Sequence, residues 1–307
     1  MKIVFMGTPD FAVPCLKKLA ESSHEIAAVF TQPDKPKGRG YKMIATPVKA
    51  TAIEYNIPVY QPVSLRKGED AENSMKILHE IAPELIVVTA YGQILPKEIL
   101  ELPKYGCINI HASLLPKYRG AAPINWVLLN GETETGVTSM QMSEGLDTGD
   151  MLIKKAVQIG ENETYSELYS RLAEIGGEVL METIGGILTG TLNPEKQDDA
   201  QSCYSPMIRK EMSALDFTKS AEEVHNTIRG VTGFTILGGK RLKVFSSEIS
   251  DNITPTECGT IADAEKFAVS CNNKVVIFNE IQLEGSKRMK TADFLRGRKL
   301  TKGEKLG

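Results

Sequence analysis

The chain has 307 residues, of which 41% are hydrophobic and 24% charged, with a formal net charge of −3. These are the proportions of an ordinary soluble globular protein, and the length exceeds what one hydrophobic core usually spans, so two domains are expected. The five cysteines are odd in number, widely spaced and without a C-x-x-C pair, which argues against a zinc cluster or a disulfide framework. The apolar run Ile3-Val4-Phe5-Met6 is too short for a signal segment or a membrane span and no other span appears, so the expected location is cytoplasmic, with no membrane partner. The charge is uneven: residues 1–208 carry 19 basic and 26 acidic side chains, residues 209–307 carry 17 and 13. Only the C-terminal part is therefore suited to approach a polyanion.

In chain order, residues 3–6 read as a buried strand, Gly7-Thr8-Pro9-Asp10 as a turn, residues 11–20 as a helix capped near Thr8 or Asp10, and residues 25–30 as a second strand. Strand, turn, helix, strand predicts a doubly wound parallel sheet of the Rossmann-like α/β class. Gly7-Thr8-Pro9-Asp10-Phe11-Ala12 lacks the second and third glycines of G-x-G-x-x-G, so no dinucleotide is expected. Residues 33–42 form a basic loop rich in glycine and proline. Helices are expected over 46–55 and 75–81, short strands near 59 and over 85–89, and the loop Tyr91-Gly92-Gln93-Ile94 at the ligand-facing end of the latter. Beyond residue 107 the pattern predicts a strand over 107–111, a helix over 123–129, strands over 135–142 and 156–159, and a helix over 165–188 softened at Gly176-Gly177.

Residues 190–207, with Asn193-Pro194 and Asp198-Asp199, read as a linker between a domain over 1–189 and one over 208–307. The second domain opens with a helix over 220–229. About five short strands follow, with Gly238-Gly239-Lys240 as a hairpin turn, predicting a small OB-like β-barrel. A tail over 286–305 carries eight basic residues against Asp293 and Glu304.

The strand over 107–111 ends in an unusual way. Ile108 and Ile110 share one face, while Asn109 and His111 share the other, at the carboxyl end where open α/β sheets bind ligands. A second polar loop, Glu144-Gly145-Leu146-Asp147-Thr148-Gly149-Asp150, places a carboxylate between two glycines. An amide, an imidazole and a carboxylate together can polarise a carbonyl, stabilise an oxyanion and manage a proton. A metal held by His111, Asp147 and Asp150 lacks a second histidine, and a hydrolase built on Ser113 lacks G-x-S-x-G, so neither is expected.

Asn109-Ile110-His111-Ala112-Ser113-Leu114-Leu115-Pro116-Lys117-Tyr118-Arg119-Gly120, followed by Leu146-Asp147-Thr148-Gly149-Asp150, resembles the folate-dependent formyltransferases. The continuation Gly120-Ala121-Ala122-Pro123-Ile124 is similar to the branch that acts on methionyl-tRNA, and the resemblance covers essentially the whole chain. It implies a monomeric enzyme that moves the formyl group of 10-formyltetrahydrofolate to the α-amine of initiator methionyl-tRNA, without a metal. Asn109, His111 and Asp147 would be catalytic. Ser113, Leu114, Leu115 and Pro116, with Tyr91, Gly92, Gln93 and Ile94, would line the folate pocket. Arg39 would grip the tRNA, with Lys35, Lys37 and Lys42 as electrostatic support; Met207 stands where that family usually carries lysine. The competing readings are a formyltransferase for a small amine, such as glycinamide ribonucleotide or an amino sugar, and a non-catalytic tRNA- or folate-binding protein.

Overall fold

The computed structural model describes residues 1–37 and 42–307. They form two compact units: one made of Met1–Gly120, Gly136–Val157 and Tyr169–Tyr204, the other of Ala121–Thr135, Gln158–Leu168 and Ser205–Gly307.

The strands of the first unit are β1 (Lys2–Gly7), β2 (Glu25–Phe30), the hairpin strands β3 (Lys35–Lys37) and β4 (Lys42–Ile44), β5 (Val59–Tyr60), β6 (Leu85–Thr89), β7 (Cys107–His111), the short β8 (Arg119–Gly120), β9 (Glu134–Gln141) and β10 (Met151–Gln158). Seven of them make one sheet in the order β10-β9-β7-β6-β1-β2-β5. β1, β2, β5, β6 and β7 run parallel, whereas β9 is antiparallel to β7. The sheet is thus the doubly wound α/β expected, with an antiparallel addition beside β7. All five residues of β6 are buried, as a strand covered on both faces requires.

The helices up to residue 189 are α1 (Val13–Ala20), α2 (Pro47–Glu54), α3 (Glu69–Ile81), α4 (Lys97–Leu100), α5 (Pro123–Leu129), which belongs to the second unit, and α6 (Tyr165–Thr189). Several local expectations change: the helix expected over 75–81 begins at Glu69 and the strand expected over 156–159 begins at Met151. The first helix begins as a 3-10 turn over Asp10–Ala12 with no side-chain cap. Thr8 Oγ1 instead donates to Tyr91 O, and Asp10 accepts from the Tyr169 hydroxyl, so both capping candidates are committed elsewhere. Helix α6 runs unbroken for 25 residues through Gly176-Gly177. A Cβ on Gly176 would lie 3.2 Å from Ile110 Cγ2, and one on Gly177 2.7 Å from Lys18 Cδ. These glycines let the helix approach the sheet and α1 closely, and it continues through them without a break. In the segment after α6, Met151 and Glu195 exchange both backbone hydrogen bonds, at 2.8 and 2.9 Å. It ends in β11 (Tyr204–Ser205), paired with β8.

In the second unit, α7 (Ala221–Val231) starts with a capping box, Ser220 and Glu223 each bonding the other's backbone N–H. Strands β12 (Gly233–Leu237), β13 (Lys240–Ser250), β14 (Ile261–Asp263), β15 (Ala268–Ser270), β16 (Val275–Leu283) and β17 (Met289–Lys290) form one sheet, β12-β13-β16-β15-β14 with β17 beside β16. Gly238 and Gly239 both take positive φ, as a tight two-residue hairpin turn demands. Phe217, Phe267, Phe278 and Phe294 anchor the core, and helix α8 (Thr291–Gly297) follows β17.

Candidate active site

Strand β7 is held by Val88 of β6 opposite Asn109, and by Met140 and Thr138 of β9 opposite Asn109 and His111. The pleat sends Ile110 toward Gly176 of α6 and leaves Asn109 and His111 on the other face. His111 is buried and Asn109 half-buried.

The turn after β9 brings Asp147 to this pair. Asp147 sits at φ +53°, in the left-handed region. Its flanking glycines are needed for space: a Cβ on Gly149 would lie 1.6 Å from Gln141 O, and one on Gly145 2.1 Å from Thr148 Oγ1. The carboxylate accepts the Gly120 N–H on Oδ2 at 2.8 Å. Its Oδ1 lies 3.5 Å from Asn109 Nδ2, and Oδ2 lies 3.8 Å from His111 Nδ1. The three residues singled out as catalytic therefore meet. On the far side of the imidazole, Nε2 lies 2.9 Å from Tyr118 O. A carbonyl only accepts, so Nε2 carries a hydrogen and Nδ1 is the nitrogen that faces Asp147.

The expected folate-lining residues divide into two kinds. Ser113 donates to Lys117 O at 2.7 Å and Leu115 is buried, so these side chains build the loop itself. Leu114 and Pro116 are half-buried. Tyr91 is buried under the sheet end, Gly92 turns the chain at φ +82°, and Gln93 bonds Leu65 N and Pro62 O. Ile94 stays 63% exposed. Lys97, close behind, reaches within 4.0 Å of Glu144, so this loop and the Asp147 loop stand side by side. Leu146, 58% exposed, adds a second apolar surface beside the polar cluster. Exposed apolar side chains next to a few convergent polar groups suit a flat heteroaromatic donor such as a pterin. Among the described residues, no group of three or more His, Cys, Asp or Glu is placed to hold a metal.

Arg39 lies outside the described residues, as do the side chains of Lys37 and Lys42; Lys35 is exposed on β3. The root of this hairpin is clamped. Lys49 Nζ donates to Asp34 and Gln61, and Gln61 Nε2 returns to Asp34 and to Gln32 O, all at 2.7–2.9 Å. The Lys49 and Gln61 hydrogen bonds hold the Asp34 carboxyl below its usual range.

One partner of the Asp147 loop escapes sequence reading. Gln197 Nε2 donates to Asp147 O at 2.8 Å and Gly149 O at 2.7 Å, and its Oε1 accepts from Arg119 Nε at 2.9 Å. Gln197 is 50 residues from the loop it holds, in a stretch whose composition resembles a linker, so no local periodicity signals it.

Family models for the formyl transferase domain and the formyl transferase C-terminal domain match residues 1–184 and 207–299. The methionyl-tRNA formyltransferase of Geobacter sulfurreducens is 49% identical over 312 residues, covering 100% of this chain and 97% of the relative. That of Clostridioides difficile is 49% identical over 313 residues, covering both chains fully. Among solved structures, the sugar 3N-formyl transferase WlaRD superposes with a TM-score of 0.69 at 23% identity, covering 94% of this chain and 99% of that one. A methionyl-tRNA formyltransferase from Clostridium thermocellum gives 0.54 at 19%, covering 82% and 95%; at such identities these two report the fold. With both family models matched in order and full-length relatives at about half identity, the chain belongs to the formyl transferase family.

Proposed function

We propose that this chain transfers the formyl group of 10-formyltetrahydrofolate to the α-amine of initiator methionyl-tRNA. The observation that carries the reading is the convergence of Asn109, His111 and Asp147 at the end of β7, in a chain whose 49%-identical relatives are methionyl-tRNA formyltransferases.

The folate supplies an activated formyl carbon, and the residues of this chain do the rest. The Asn109 amide donates to the formyl oxygen as negative charge develops there, an interaction stronger in the transition state than in the ground state. His111 Nδ1, the ring nitrogen turned toward Asp147, takes up the proton that Asp147 receives from the attacking amine and delivers it to the departing folate nitrogen, so both side chains end as they began. Asp147 receives the proton released by the attacking amine, directly or through one water. Gly120 N–H holds Oδ2 of that carboxylate in place. Ile94 and Leu146 offer the apolar surfaces for the ring system, and the backbone of residues 91–94 and 113–116 offers its hydrogen bonds.

Recognition of the RNA is assigned to basic groups. Lys35, Lys37 and Lys42 belong to β3 and β4, with Arg39 between them in sequence, and the start of this segment is clamped by Lys49, Asp34 and Gln61. In the second unit, Arg241 lies over the Phe234 ring at 3.6 Å and Arg288 over Phe245 at 4.1 Å. Such guanidinium groups, placed over aromatic rings, suit phosphate contacts.

The test is transfer of radiolabelled formyl from 10-formyltetrahydrofolate to four acceptors: charged initiator tRNA, charged elongator tRNA, free methionine and glycinamide ribonucleotide. Labelling confined to the initiator methionyl-tRNA is the expected result. Labelling of the small amine in its place would overturn the assigned acceptor.

A further inference from the structure

We infer that Gln197 is a positioning residue for the transfer reaction, setting the Asp147 loop through its side-chain amide. The inference rests on the function proposed above.

Asp147 occupies the left-handed region at φ +53°. For a residue with a Cβ this conformation is disfavoured, so something must hold the backbone there. The carboxylate bond to Gly120 N fixes one end of the residue. The other end is the peptide carbonyl, and Gln197 Nε2 bonds it together with the Gly149 carbonyl. One amide nitrogen thus spans the turn, using both of its hydrogens. The orientation of that amide is decided by its partners: the opposite flip would set its oxygen against two carbonyl oxygens and its nitrogen against the Arg119 Nε–H.

Gln197 is itself held. Arg119 donates to it from Nε and to Asp199 from a terminal nitrogen at 2.8 Å. Arg119 N donates to Cys203 O at 2.9 Å, and Tyr118 N donates to the Cys203 sulfur at 3.2 Å. Tyr118 is the residue whose carbonyl meets His111, and it too stands at positive φ, +59°. The segment 195–203 therefore touches both supports of the catalytic cluster: the backbone of Asp147 through Gln197, and the Tyr118 carbonyl through Cys203. A stretch that composition marks as a linker serves as a brace. A neutral amide is required because the groups it meets are two acceptors and one donor.

The experiment compares wild type with Gln197→Met, which keeps length and packing but removes the donors, and Gln197→Glu, which sets a carboxylate against both carbonyls. Lys154→Ala is the control, since it removes only the exposed ion pair to Glu195 on the same segment. Three quantities are read: kcat and KM for each substrate, folded fraction by circular dichroism, and amide hydrogen exchange over residues 144–150. We expect kcat per folded molecule to fall by about 10²-fold in both Gln197 variants, the penalty of a misplaced catalytic group. KM values should hold, exchange over 144–150 should quicken, and Lys154→Ala should behave as wild type. Unchanged kcat with unchanged exchange would overturn the inference, as would an equal loss in Lys154→Ala. Hydrogen exchange needs no substrate, so if the wild-type chain formylates no tRNA, the proposed function fails while the brace is still tested.

Discussion

His111 Nε2 stands 2.9 Å from the carbonyl oxygen of Tyr118, and that single bond decides which face of the imidazole is left for chemistry. Because the carbonyl can only accept, the Nε2 hydrogen is committed, and Nδ1 is the nitrogen turned toward Asp147, at 3.8 Å from Oδ2.

Replacements of His111 should separate its two nitrogens. In Asn the amide nitrogen falls near the Nδ1 position; in Gln it falls near Nε2. Both variants should lose turnover by about 10²–10⁴-fold, with His111→Asn the more active. Steady-state kinetics on purified variants checks this, and the reverse order would mean that Nε2 is the reacting nitrogen.

Asn109→Ala should lower kcat by about 10²–10³-fold, the usual cost of one oxyanion donor. The side chain is half-buried and its contact with Asp147 is a long 3.5 Å, so the thermal midpoint should barely move. Turnover close to wild type would remove Asn109 from the mechanism.

Gly149→Ala should damage stability and activity together. The added Cβ meets the Gln141 carbonyl at 1.6 Å, a backbone atom that no rotamer change can withdraw. Overpacking of this sort costs typically about 1–3 kcal/mol. The same shift would move Asp147, two residues away. Denaturant unfolding and kcat measured on one preparation test the pairing of the two effects.

The second unit should be sensitive to acid through His225. This ring is 3% exposed, with Nδ1 2.9 Å from Ser247 Oγ and Nε2 3.1 Å from Glu161 O. Burial, with the Arg229 charge adding to it, lowers its pKa below 6.5. The unfolded chain then takes up the proton first, so stability is present above about pH 6.5 and is lost as pH falls below it, by at most about 1.4 kcal/mol per pH unit for one proton. Unfolding midpoints measured between pH 7.5 and 5.5 should fall in wild type and fall less in His225→Asn.

Several features were legible from local sequence because their physics is local. The alternation along 107–111 places Asn109 and His111 together, since a strand repeats every two residues. Ser220 and Glu223 announce the start of α7, and Gly238-Gly239 its hairpin neighbour, because caps and tight turns are decided within four residues. Asp147 between glycines marks a turn that presents a carboxylate. Folded geometry alone decided the rest. Gly176 and Gly177 look like helix breakers until Ile110 and Lys18 are seen against them. The strand over 134–141 alternates whichever way it runs, and only its pairing with β7 makes it antiparallel. Gln197 lies in a polar stretch with no periodicity, and its amide acquires a purpose only when the chain returns to the Asp147 turn. Periodicity records which face a residue takes; it carries no record of the partner waiting across that face, and bonds spanning 48 to 78 residues are matters of that partner.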